Sequence, residues 1–245
     1  MLIHRRLLGA HVVDALTVGV GEIEAWPVGS HRWGHYAERT PTGPAVCRTE
    51  NVSPCHAGIA GLVAGILAEA AADAVGEPVT AFKDKINFKR PGGAGFSPHQ
   101  DRRAYPGVQR VLSVLVAVDP CTPSSGCVWI ADGVDRLLPT DERGVVAPEA
   151  AGALRWEAAD LEPGDALCID GLLPHHSGAN RSSRQRRVLV ASYAPAAEGY
   201  SREDYYARRD ALMAAAPDGD HRISTIGDFD GVTVGPVGGV ACCHG

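Results

Sequence analysis

The chain has 245 residues, 45% hydrophobic and 21% charged, with a formal charge of −6. That content can bury one full core, and the negative balance excludes a broadly basic nucleic-acid-binding face. The 29 Gly and 17 Pro follow no period, which excludes a collagen-like chain and points to many turns between short strands, a mainly β fold.

Seven cysteines (Cys47, Cys55, Cys121, Cys127, Cys168, Cys242, Cys243) lack a C-x-x-C pair, so neither a disulfide framework nor a zinc knuckle is expected. A reducing, cytoplasmic setting fits them. Arg5-Arg6 before Leu7-Leu8 imitates a signal peptide, but His11 and Asp14 interrupt the apolar run. No stretch is expected to span a bilayer, and residues 1–245 read as one domain.

In chain order, residues 1–55 show no persistent period, and Val12 to Glu24 reads as a strand or a short helix. Cys47 to Val52, CRTENV, leads to a stronger signal. From His56 to Val75 the apolar positions Ile59, Leu62, Val63, Ile66, Leu67 and Ala70 recur at helical spacing, and Gly76 supplies the stop. Val79 to Arg90 then alternates as a strand does. Phe82, Ile86 and Phe88 fall on one face, and Lys83, Lys85, Asn87 and Lys89 on the other.

This strand runs through a Gly-rich turn into His99-Gln100-Asp101. On extended backbone, residues two apart point the same way, so the imidazole and the carboxylate converge. A third ligand from elsewhere would complete the two-His-one-carboxylate set of non-haem Fe(II) oxygenases.

Next come a turn at Tyr105-Pro106-Gly107, a buried strand over 110–119, the turn cluster PCTPSSG and the strand CVWIA, expected to form a hairpin with 110–119. Residues 132–160 read as a long surface insertion. Ala166 to Asp170 is a short strand feeding GLLPHHSGANRSSRQRRVLVASY, where His175 or His176 can be the third ligand. An arginine at the mouth of the strand VLVASY can grip a carboxylate bidentately. Beyond residue 200, SREDYYARRDALMAAAP is a helix capped by Ser201, with Glu203 and Asp204 in its first turn. Cys242-Cys243-His244 reads as a flexible tail rather than a metal site.

HQD, the PSSG turn, then HHSGAN with an Arg eleven residues beyond His175 together resemble the phytanoyl-CoA hydroxylase family of Fe(II)/2-oxoglutarate dioxygenases, from about Lys83 to Tyr193. The resemblance implies a double-stranded β-helix of jelly-roll type with helices packed on one sheet, its core about 79–196. It implies Fe(II) held by His99, Asp101 and His175, with His176 as the alternative. Ser177 and Arg186 would hold the 5-carboxylate of 2-oxoglutarate, with Arg187 as the alternative, and Asn87 would steady this cosubstrate.

The chain departs from the family pattern at His176, where the family has Gly, and at Gly133-Val134-Asp135, where it has Gly-Ser-His. The implied reaction uses O2 to hydroxylate a small molecule, with release of succinate and CO2. Asp101 fills the position that halogenation would need for a halide. A redox-neutral cupin-type isomerase or lyase would share the metal set but has no need of Arg186, and a non-catalytic metal sensor is the other reading.

The row Lys83, Lys85 and Lys89 should face the barrel mouth, where ammonium groups call for an anionic substrate. FKDKINFKRPGGAGF and EDYYARR are also similar to bacterial phosphonate-oxidising members of the family. A small phosphonate or phosphate-bearing metabolite is therefore expected, with a nucleotide, a CoA-like thioester or a natural-product intermediate as the alternative.

Overall fold

The computed structural model describes residues 1–27, 32–40, 43–215 and 232–233. Its strands are β1 (Leu2–His4), β2 (Gly34–Thr40), β3 (Gly43–Glu50), β4 (Val79–Lys89), β5 (Phe96–His99), β6 (Leu112–Ala117), β7 (Val128–Ala131), β8 (Trp156–Ala159), β9 (Ala166–Asp170), β10 (His175–Ser177), β11 (Arg186–Pro195) and β12 (Val232–Thr233). The helices are α1 (Ala10–Glu24), α2 (Ala57–Ala64), α3 (Ile66–Val75), α4 (Pro148–Gly152) and α5 (Arg202–Ala214).

One sheet runs β1-β9-β6-β11-β4-β3-β2-β12 and the other β5-β10-β7-β8, so the chain crosses repeatedly between them. This is the expected double-stranded β-helix, with α1, α2 and α3 on the outer face of the larger sheet. Leu115, Ile130, Leu161, Leu167, Val188 and Val190 fill the space between the sheets. On the outer face, Val20, Ile59, Val63 and Leu67 cover Ile86, Phe88, Val114 and Leu189.

Five expectations need correction. The helix over 56–75 is two helices, because Gly65 (φ −102°, ψ −115°) leaves helical geometry, and a Cβ there would lie 2.7 Å from the Gly61 carbonyl oxygen. Among the described residues, 57–75 span 19 residues at a mean hydropathy of 1.6, long and apolar enough by length and composition to cross a membrane. In the fold its face bearing Ile59, Val63, Leu67 and Ala71 packs on the sheet, and its exposed positions are Gly, Ala, Glu69 and Asp73.

The alternation in β4 also breaks. Ser192 pairs with Lys83 but Tyr193 with Ala81, so Phe82 is bulged out of register. It packs with Tyr105, Tyr200 and Tyr205 instead of lying under the helices.

The segments 110–119 and 127–131 form no hairpin. β6 pairs with β9 and β11, whereas β7 pairs with β8 and β10, because the PCTPSSG turn carries the chain from one sheet to the other. Finally, residues 132–160 contain α4 and β8, and Trp156–Ala159 forms the edge of the smaller sheet.

α1 resolves the first ambiguity as a helix, burying Leu16, Val20 and Ile23 on one stripe. α5 starts as expected. Asp204 N–H donates to Ser201 Oγ at 3.1 Å, while Ser201 N–H donates back to Asp204 Oδ2 at 2.9 Å, a reciprocal cap. Cys242-Cys243-His244 lies outside the described residues.

Candidate active site

His99 closes β5 and His175 opens β10, and the two are register partners across the smaller sheet. Asp101 begins the short turn 101–104 that follows β5. Each imidazole Nε2 lies 3.8 Å from Asp101 Oδ1, and the three candidate ligand atoms fall within 4.8 Å of one another.

The backbone fixes both tautomers. His99 Nδ1 donates to Ser97 O at 2.7 Å and His175 Nδ1 to Leu173 O at 3.0 Å, which leaves each Nε2 lone pair facing the shared centre. Burial, reinforced by His175, pushes His99 down to about 3, so it is neutral at pH 7. Burial alone would raise the Asp101 carboxyl, but His175, His99, Lys85 and the Ser113 hydroxyl outweigh it and hold the group below its usual range. Two imidazoles presenting Nε2 and one carboxylate suit non-haem Fe(II). His176 points elsewhere, stacked on Trp129 and edge-on to Trp156.

A hydroxyl chain supports the carboxylate. Ser113 Oγ donates to Asp101 Oδ2 at 2.9 Å and lies 3.2 Å from Ser192 Oγ, beside which sits the Tyr105 phenol. With Oδ2 so occupied, Oδ1 is the oxygen left for a metal. Gln100, buried between the two ligands, accepts from Leu138 N–H at 2.8 Å and donates to Arg136 O at 2.8 Å, tying the turn to the segment that covers it.

The cluster opens into a cavity of about 760 Å³ between the sheets. At one end Arg186 and Lys89, register partners on β11 and β4, converge on the Gly126 carbonyl, at 2.9 Å and 3.4 Å. Lys89 Nζ also reaches Ser177 Oγ at 2.9 Å and Gly178 O at 2.6 Å, so it stands with Arg186 and Ser177 rather than with Lys83 and Lys85. Gly126 is required here. Its φ is +75°, and a Cβ would lie 2.5 Å from Gly178 O. The Nε of buried Arg186 has no partner among the described residues. Burial, then Arg186, lowers Lys89 to about 6. Arg187 faces away and grips Asp119 with two bonds of 2.8 Å.

At the other end, Lys83 and Lys85 face inward with Arg48 of β3 and Arg209 of α5, residues that sequence reasoning missed. Arg48-Thr49-Glu50 offered one signal, two charged residues sharing a face of a strand. Asn87 accepts from Arg48 Nε at 3.0 Å and so orients that guanidinium. The Lys85 side chain makes no hydrogen bond or ion pair among the described residues, and burial, then Arg48 and Lys83, lowers it to about 7. Among the described residues, eight Lys or Arg line the cavity against four carboxylates.

Comparison with known proteins agrees. The phytanoyl-CoA dioxygenase (PhyH) family profile matches residues 1–188. The chain is 39% identical over 218 residues to a methylphosphonate hydroxylase of Gimesia maris, covering 86% of this chain and 84% of that one. It is 35% identical over 192 residues to a 2-aminoethylphosphonate dioxygenase of an uncultured bacterium, covering 76% and 73%. Among solved structures, EctD from S. alaskensis with 2-oxoglutarate and 5-hydroxyectoine superposes with a TM-score of 0.70 at 22% identity, covering 80% of this chain and 72% of that one, a likeness of fold. The chain belongs to the phytanoyl-CoA dioxygenase (PhyH) family and is a 2-oxoglutarate-dependent dioxygenase.

Proposed function

We propose that this dioxygenase hydroxylates a small phosphonate, with Fe(II) held by His99, Asp101 and His175. The observation that carries the substrate class is the surplus of cations around unpaired Lys85 beside the ligand set. Fe(II) and the 2-oxoglutarate dianion cancel in charge, so this surplus is left for the substrate, and a phosphonate dianion supplies what it lacks. The relatives that act on methylphosphonate and 2-aminoethylphosphonate support the same class.

The metal, once bound, supplies oxidative decarboxylation of 2-oxoglutarate to succinate and CO2 and the oxidation of a C–H bond. The chain's own residues bind and orient. Arg186, Lys89 and Ser177 hold the distal carboxylate of the cosubstrate, and the orphaned Arg186 Nε is one donor awaiting it. Lys83 and Lys85 hold the phosphonate, and Arg48, oriented by Asn87, closes that end. Ser113 keeps Asp101 turned to the metal through Oδ1. The five described cysteines are free thiols, which supports a reducing, cytoplasmic setting.

The test is succinate release by the Fe(II)-loaded enzyme with 2-oxoglutarate, O2 and a panel of small phosphonates, carboxylates and neutral alcohols. Stimulation by phosphonates above the substrate-free rate is expected. Stimulation by the neutral compounds alone would overturn the substrate class.

A further inference from the structure

The cation end of the cavity holds one carboxylate, Glu50, and both of its oxygens are taken. Oε1 lies 3.2 Å from Arg48 Nη1 and 3.6 Å from Lys83 Nζ, and Oε2 lies 3.5 Å from Arg209 Nε. The other lining carboxylates are engaged or distant in role. Asp101 belongs to the metal set, Glu38 accepts from Ala94 N–H at 3.2 Å beside Lys89 and Arg90, and Glu142 is exposed.

The aromatic faces are taken as well. Lys83 Nζ sits over Tyr205 at 4.9 Å and over Tyr105 at 5.6 Å, and Arg48 lies over Phe96 at 5.5 Å. A new ammonium entering this end therefore meets neither a free carboxylate nor a free ring face.

We propose that Glu50, locked by Arg48, Lys83 and Arg209, makes this cavity selective for alkylphosphonates that carry no amino group near phosphorus. This rests on the phosphonate reading above. In 2-aminoethylphosphonate the nitrogen is three bonds from phosphorus, so a phosphonate seated on Lys83 and Lys85 keeps its ammonium inside the same ring of cations. Pairing it would pull Glu50 from its partners and leave buried guanidinium and ammonium groups unpaired. A methyl group or short alkyl chain makes no such demand.

The experiment compares kcat/KM for methylphosphonate, n-propylphosphonate and 2-aminoethylphosphonate, by succinate release, in the wild type and in Arg209→Met. The propyl and aminoethyl compounds match in shape and differ in charge. The wild type is expected to favour n-propylphosphonate over 2-aminoethylphosphonate by about tenfold or more, the cost of one unpaired charge contact. Arg209→Met frees Glu50 Oε2 and should shift that ratio toward the amino compound by about threefold or more.

Equal or better turnover of 2-aminoethylphosphonate by the wild type would overturn the selectivity while leaving the phosphonate reading intact. A ratio unmoved in Arg209→Met would overturn the role of Glu50. Stimulation by none of the three would overturn both.

Discussion

The two faces of β4 hold charge under opposite conditions. On the outward face Asp84 is fully buried and saturated: it accepts from Val52 N–H at 2.7 Å, Ser53 N–H at 2.9 Å and Ser53 Oγ at 2.6 Å, and it pairs with Arg202 at 2.6 Å. On the inward face Lys85 has no partner among the described residues, and Lys83 shares a single carboxylate with two arginines. Buried charge that is satisfied internally ties elements together, here α5 to the sheet. Charge left short of partners either gives up its proton, the direction in which Lys85 is lowered, or is met by a ligand.

Mutating a candidate ligand in the cavity that the inward face lines, against Asp84 on the outward face, gives the largest contrast. Asp101→Ala should lower turnover by about a thousandfold or more through loss of a metal ligand, while calorimetry finds the fold intact. Asp84→Ala should do the reverse. Removing one partner of a buried ion pair costs about 3–5 kcal/mol, so its midpoint should fall by roughly 10 °C, while the folded fraction keeps its activity. A variant that loses both properties equally at either position would dissolve the distinction.

Lys85→Met and Lys83→Met come next. Each should raise phosphonate KM by about 2–3 kcal/mol worth of affinity per lost charge-assisted contact, with substrate-free 2-oxoglutarate turnover little changed. An unchanged KM in both would make the lysine row surface decoration. Ser113→Ala should lower kcat about tenfold by freeing Asp101 to turn, and Ser113→Thr, which keeps the hydroxyl, should recover most of it.

The smallest effect is a pH dependence. Burial, then Arg48 and Lys83, lowers Lys85 to about 7, against an ordinary value of 10.5. Between those values the unfolded chain binds the extra proton, so this group's contribution to stability rises with pH across that window. A bound anion raises the lysine again, so phosphonate binding takes up a proton above pH 7 and KM climbs with pH. Calorimetry in buffers of different ionisation enthalpy reads that proton, and Lys85→Met should abolish it.

The metal end was readable because its parts are local. His99 and Asp101 are two residues apart, and the HHS run places His175 and Ser177 on one face of β10, with His176 turned to Trp129 and Trp156. Of the two adjacent arginines, Arg186 lines the cavity and Arg187 faces Asp119.

The cation end was only half readable. Lys83 and Lys85 stood out by alternation, but Arg48 and Glu50, beyond their shared strand face, and Arg209 reach this end from β3 and α5 through tertiary pairing. Lys89 shares the lysine row yet belongs to the other end, because β4 is long enough to run the length of the cavity. The Phe82 bulge and the crossing of PCTPSSG between sheets likewise depend on partners distant in sequence.

The ratio of oxidised phosphonate to succinate in the Fe(II)-loaded wild type, measured by 31P NMR and chromatography of one reaction, reads whether phosphonate oxidation is coupled to 2-oxoglutarate at the proposed His99, Asp101 and His175 centre. One oxidised phosphonate per succinate, with both absent in Asp101→Ala, is the expected result. A phosphonate transformed without succinate, or succinate formed at a rate no phosphonate alters, would contradict it.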